Sequence, residues 1–145
     1  PEEIVEIGAV LALAGPGRIV VTGGGGGIPV ARRNGSLVGV EGVIDKDRTA
    51  SLAARTIDAR GFVIFTEVGH ASRGFGKPDE SPLLDLTADE AQALLDAGEF
   101  PPGSMGPKIE ACISYARATG RTGVITSVEA LEAALAGKDG TRIGK

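Results

Sequence analysis

Two short apolar runs, "FVIFT" at residues 62–66 and "TGVITS" at residues 122–127, limit the folds open to this chain. Each is rich in β-branched or aromatic side chains and too short for a packed helix. A strand of that kind is apolar on both sides of the pleat and needs cover above and below. The intervening stretches supply it. "DKDRTASLAARTIDARG", "LTADEAQALLDAG", "PPGSMGPKIEACISYARATG" and "VEALEAALAG" all read as helices. Strands alternating with helices predict an α/β fold, a largely parallel sheet with helices on both faces, in one domain over residues 1–145.

Other elements follow from punctuation. "EIVEIGAVLALA" at 3–14 places Ile4, Ile7, Gly8 and Leu11 on one helical face, and "GPG" stops it. "RIVV" at 18–21 reads as a short buried strand, and "SLVGVEGVI" at 36–44 as a strand or hairpin. In the helix after residue 44, Asp47 is a candidate N-cap and Gly61 a candidate stop. Residues 67–83 read as a long loop. Thr87 and Glu90 have capping-box spacing, Pro107 suits a first helical turn, and "GTRIGK" reads as a last strand.

Composition removes several classes of function. Aromatic residues are 3% of the chain, Trp is absent and the net charge is −4, so neither a base-stacking surface nor a polyanion footprint is present. Nucleic acid is not an expected partner, and no run is long enough to cross a membrane. One cysteine and one histidine make no zinc set, and no metal-ligating residues stand out. The cytoplasm is the expected compartment. A first residue of Pro rather than Met implies that the native N-terminus lies elsewhere.

Glycine is 23 of 145 residues, and five are consecutive in "TGGGGGIPV". No Lys follows them at P-loop spacing, and Ile28 or Pro29 stands where a dinucleotide fingerprint needs Gly or Ala. Apolar neighbours on both sides fit a linker poorly. A loop whose bare amides face an anion remains, beside the alternative of a tight structural turn.

The stretches "GGGGIPV", "GVEGVIDKD", "FGKPDE" and "PPGSMGPKIEACI", in this order, resemble the carbamate kinase family of the amino acid kinase superfamily. "VITSVEALEAALAGKDGTRI" resembles that family's C-terminal end. The resemblance covers essentially the whole chain but only the C-terminal, nucleotide-binding half of a carbamate kinase. It implies that an N-terminal half is missing, with part of the carbamate site and a further lysine. It also implies ATP + carbamate ⇌ ADP + carbamoyl phosphate with Mg2+, a place in arginine catabolism, and a homodimer at full length.

By the same resemblance, Lys46, Asp47 and Lys108 are catalytic: the lysines lie near the transferring phosphoryl group and Asp47 orients them. Gly24, Gly25, Gly26 and Gly27 match a substrate or phosphate loop. Thr66, Phe75, Lys77, Gly103, Ser104 and Met105 match positions beside ATP or ADP. Without the resemblance, Asp47 reads as a cap, both lysines as solvated surface, Met105 as core filler, Cys112 as a core thiol and His70 as a surface residue. The chain departs from the family at "FTEVGHASRGFGKP", where "LTDVDGVYLNFGKP" is usual, which touches the nucleoside pocket. A divergent paralogue with another small carbamoyl or carboxyl acceptor is one alternative, and a non-catalytic nucleotide-binding module is another.

Overall fold

The computed structural model describes residues 1–144. In chain order these form α1 (Ile7–Leu13), β1 (Val30–Arg33), β2 (Ser36–Gly39), α2 (Lys46–Thr56), β3 (Phe62–Phe65), β4 (Ala71–Arg73) and β5 (Ser81–Leu83). β6 (Asp85–Thr87), α3 (Ala88–Asp96), α4 (Met105–Thr119), β7 (Gly123–Thr126), α5 (Leu131–Leu135) and β8 (Thr141–Gly144) follow.

The sheet has the order β3-β7-β8-β6. β3 pairs with β7 and β6 with β8 in parallel, while β7 and β8 are antiparallel. The sheet is therefore mixed, with one antiparallel pairing inside a largely parallel arrangement. Both "FVIFT" and "TGVITS" are strands, as their apolar character requires, and they lie side by side.

Helix α4 is the centre of the core. Ile109, Ala111, Cys112, Ile113, Tyr115 and Ala116 are all buried on it. Gly123 lets it approach β7: a Cβ there would lie 3.0 Å from the Cys112 Cβ and Sγ. Side chains alternate along a strand, so Thr126 points to the other side of the sheet from Gly123. There Gly140 (φ +79) passes close to Thr126 and Ala134, placing α5 opposite α4. α2 and α3 flank α4. Tyr115 joins α4 to the turn between α2 and β3, donating its hydroxyl to Ala59 O at 2.6 Å and packing on Phe62 at a ring separation of 5.2 Å.

Several boundaries differ from expectation. Residues 18–21 are not a strand. Ile19 and Val21 are 94% and 93% exposed, because no described strand lies alongside to take their backbone hydrogen bonds. α1 is shorter than 3–14 and buries no residue. The 67–83 stretch contains the β4–β5 hairpin, tied to the sheet by Thr141, whose Oγ1 accepts from Ala71 N and donates to Leu83 O.

Gly61 does not end α2. The helix stops at Thr56, and Asp58 takes the left-handed φ of +52. β2 pairs with β1 through Asn34 and Gly35, both at positive φ, the two-residue turn that such a hairpin requires. The last strand is present over Thr141–Gly144, and Lys145 lies outside the described residues.

Candidate active site

Helix α2 starts where it does because Asp45 caps it. Asp45 is extended, and its Oδ1 accepts from the backbone N–H of Asp47 at 2.9 Å and of Arg48 at 3.0 Å. The expected cap, Asp47, is thus corrected to Asp45. Two acidic residues flank Lys46, and only the earlier has the extended backbone of an N-cap.

The consequence is chemical. Freed from capping, the Asp47 carboxylate turns toward α4 and accepts from Lys108 Nζ at 2.9 Å, with Lys46 Nζ 3.6 Å from the same Oδ2. Asp47 and Lys108 are nearly shielded from solvent, at 8% and 11% side-chain exposure, whereas Lys46 is 59% exposed. Two ammonium groups share one carboxylate, so the cluster carries a net positive charge. It also lies in the first turns of α2 and α4, where the helix dipoles add positive potential. An anion placed there gains a charge-assisted contact that water competes with weakly.

The glycine loop is fastened to the same place. Thr49 Oγ1 donates to Gly26 O at 2.8 Å, and Gly26 N donates to Gly23 O at 2.9 Å. Gly26 has φ +129, and a Cβ on it would lie 2.1 Å from Ile44 O, so no other residue fits. Gly24 and Gly27 also have positive φ. Among the described residues the amides of Gly24, Gly25 and Gly27 make no hydrogen bond. Bare donors on a loop pinned at the start of α2 form an anion-accepting surface.

The six nucleotide candidates come from three segments. Thr66 follows β3 and donates its N–H to Thr126 O at 2.9 Å. Phe75 and Lys77 are exposed in the β4–β5 turn, and Gly103 and Ser104 are exposed before α4. Met105 is partly buried against the core. Among the described residues none of the six hydrogen-bonds to the Lys46–Asp47–Lys108 group.

Sequence reading missed Asp45 and Thr49. Asp45 carries the same signal as Asp47, and Thr49 shows none, because its partner is a backbone carbonyl 23 residues away. It also missed Thr126, whose fully buried Oγ1 has no partner. Cys112 is 0% exposed and burial pushes its thiol well above the usual range, so it is core and not nucleophile. His70 is one-third exposed, 3.7 Å from Asp139. No group of three His, Cys, Asp or Glu able to hold a metal occurs among the described residues.

The sequence pattern of the Amino acid kinase family matches residues 1–127. The chain is 44% identical to a carbamate kinase of Halobacterium salinarum over 99% of its own length and 47% of the relative's. It is 43% identical to a carbamate kinase of Giardia intestinalis over 100% of its length and 46% of the relative's. The structure of carbamate kinase from Giardia lamblia bound to AMP-PNP superposes with a TM-score of 0.94 at 43% identity, over 99% of this chain and 50% of that one. The chain thus spans about half the length of the relatives it matches. The family pattern covers most of the chain, and the fold is shared over nearly every residue with a solved relative, so this chain belongs to the amino acid kinase family.

Proposed function

We propose that the protein containing this chain transfers a phosphoryl group between carbamoyl phosphate and ADP, releasing carbamate and forming ATP. The observation that carries this reading is the buried Asp47 carboxylate holding Lys108 at 2.9 Å beside the glycine loop. Phosphoryl transfer is mainly positioning and stabilisation of charge spread over three equatorial oxygens. Asp47 holds Lys108 in one orientation, so its ammonium needs little reorganisation as that charge develops. Lys46, more exposed, reaches the same region, and the free glycine amides face the substrate's anionic end. Thr66, Phe75, Lys77, Gly103, Ser104 and Met105 border the nucleotide.

Magnesium, which neutralises phosphate charge in such reactions, finds no cage of three carboxylate, His or Cys ligands among the described residues, so it would enter on the nucleotide's phosphates. The protein acts as a cytoplasmic homodimer. Residues 1–145 serve as one nucleotide-binding lobe, and the length absent from this chain completes the carbamate site.

The test is coupled detection of ATP from ADP and carbamoyl phosphate, with magnesium, using the whole protein. ATP formation well above background is expected. The altered "EVGHASRG" segment at 67–74 favours a second reading, a different carbamoyl or carboxyl acceptor. ADP binding with no ATP formed from carbamoyl phosphate would turn the assignment to that reading.

A further inference from the structure

A second cationic feature lies outside the Lys46–Asp47–Lys108 cluster. Arg48, Ser51 and Arg55 recur along one face of α2, and Glu110, Ser114 and Arg117 along the facing side of α4. Gln92 of α3 closes the end, and together they line a hollow of about 370 Å3. The floor is closed because Ser51 is small and buried, its Oγ donating to Ala111 O at 2.8 Å. Pro1 touches one edge of the hollow but contributes none of its guanidiniums.

Three arginines and one glutamate make the lining cationic in a chain of net charge −4. Not all of that charge is neutralised. Arg48 donates through Nε and Nη2 to a single Glu110 oxygen, and Arg117 reaches Asp89 and Gln92 at the rim. Arg55 donates Nε to Ser51 O and has no acidic partner among the described residues. Its two terminal nitrogens form a planar fork of the shape that grips carboxylate or phosphate in a bidentate manner. The Ser114 hydroxyl is exposed at the same rim.

We propose that this hollow between α2, α3 and α4 binds a compact polyanion bearing carboxylate or phosphate groups, held by Arg48, Arg55 and Arg117 outside the catalytic cluster. The volume suits a small metabolite and is too small for a folded partner. The site is also placed to act on catalysis. Arg48 follows Asp47 on α2, and Glu110 stands two residues beyond Lys108 on α4. An anion drawing Arg48 away from Glu110 changes how the two helices are strapped, and with it the setting of the Asp47–Lys108 pair. That coupling rests on the proposed phosphotransfer; the binding itself does not.

Isothermal titration of the whole protein with pyrophosphate and, separately, with citrate tests it at low salt. Saturable binding of at least one probe is expected, with a Kd of about 1 mM or tighter. The stronger probe identifies phosphate or carboxylate as the preferred group. Arg55→Gln, which removes a charge-assisted contact, and independently Ser114→Asp, which sets a repelling carboxylate at the exposed rim, should each weaken binding at least about tenfold. Thermal melts show whether each variant remains folded. Lys46→Ala should leave the Arg55-dependent component of binding unchanged. No saturable binding of either probe overturns the proposal. So does binding abolished by Lys46→Ala but indifferent to Arg55→Gln, which would place the anion on the catalytic lysines.

Discussion

Lys46 and Lys108 share a carboxylate but not an environment, and the difference is measurable. Replacing Lys108 by Ala leaves the buried Asp47 with only the exposed Lys46 as partner. Breaking a buried pair in that way costs about 3–5 kcal/mol. Lys108→Ala should therefore lower turnover of the whole protein by roughly 10²-fold or more and also lower its melting temperature. Lys46→Ala should reduce turnover on a similar scale with little change in stability, since its ammonium is largely solvated. Steady-state kinetics beside thermal melts separate the two effects, and an unchanged rate in either variant removes that lysine from the mechanism. Gly26 and Gly24 offer a second contrast. Gly26→Ala drives a Cβ into the Ile44 carbonyl and must displace the loop, so a turnover loss of about 10²-fold is expected. Gly24 has φ +49 with open space around it, so Gly24→Ala should cost only about 1 kcal/mol of strain and much less activity.

Among the secondary-structure elements, α3 has the start most plainly written in its sequence. Thr87 Oγ1 accepts from Glu90 N at 3.2 Å, and Glu90 Oε2 accepts from Thr87 N at 2.8 Å, closing the reciprocal cap. The Thr87 N–H, and then its hydroxyl, hold the Glu90 carboxyl below its ordinary range. A carboxyl with a depressed folded-state pKa contributes stability that is complete above its unfolded value near 4.3 and is lost as pH falls through the folded value. Glu90→Ala should therefore lower the melting temperature at pH 7 and make progressively less difference as pH falls below about 4. Melts of both proteins across that interval check it, and an equal deficit at every pH would show that the charge plays no part. α2 is the opposite case. Its start depends on which of two aspartates has extended backbone, and letters alone do not distinguish Asp45 from Asp47.

Residues 1–44 set the behaviour of the entire chain. Of these only Gly26 is buried, while Ile19, Val21, Ile28 and Val43 are between 87% and 96% exposed. β3 is also an edge strand, with Phe65 48% exposed. Unpaired edges and contiguous apolar surface template association. The relatives are about twice as long, so a complementary length that covers this surface is the natural reading. The isolated 145-residue chain should therefore self-associate or melt at low temperature, and form no ATP. Sedimentation together with the coupled assay decides this; a stable monomer that turns over carbamoyl phosphate would contradict both parts.

What was legible without coordinates is what local chemistry dictates. Apolar, β-branched runs became β3 and β7, the Thr87–Glu90 spacing became a cap, and apolar residues at helical spacing put Cys112 and Ile109 in the core. "RIVV" misled for a related reason. Its composition is that of a buried strand, but burial needs a neighbour, and among residues 1–144 it has none. The site needed three dimensions because each of its contacts joins distant residues. Asp47 meets Lys108 across 61 positions, Thr49 meets Gly26 across 23, and the two arginines of α2 face Arg117 of α4 across the small residues Ser51 and Ala111, which meet where the helices pack. Local pattern names such side chains, and only packing sets the distances and the shielding from water that make a charged group a solvated lysine or a buried, paired one.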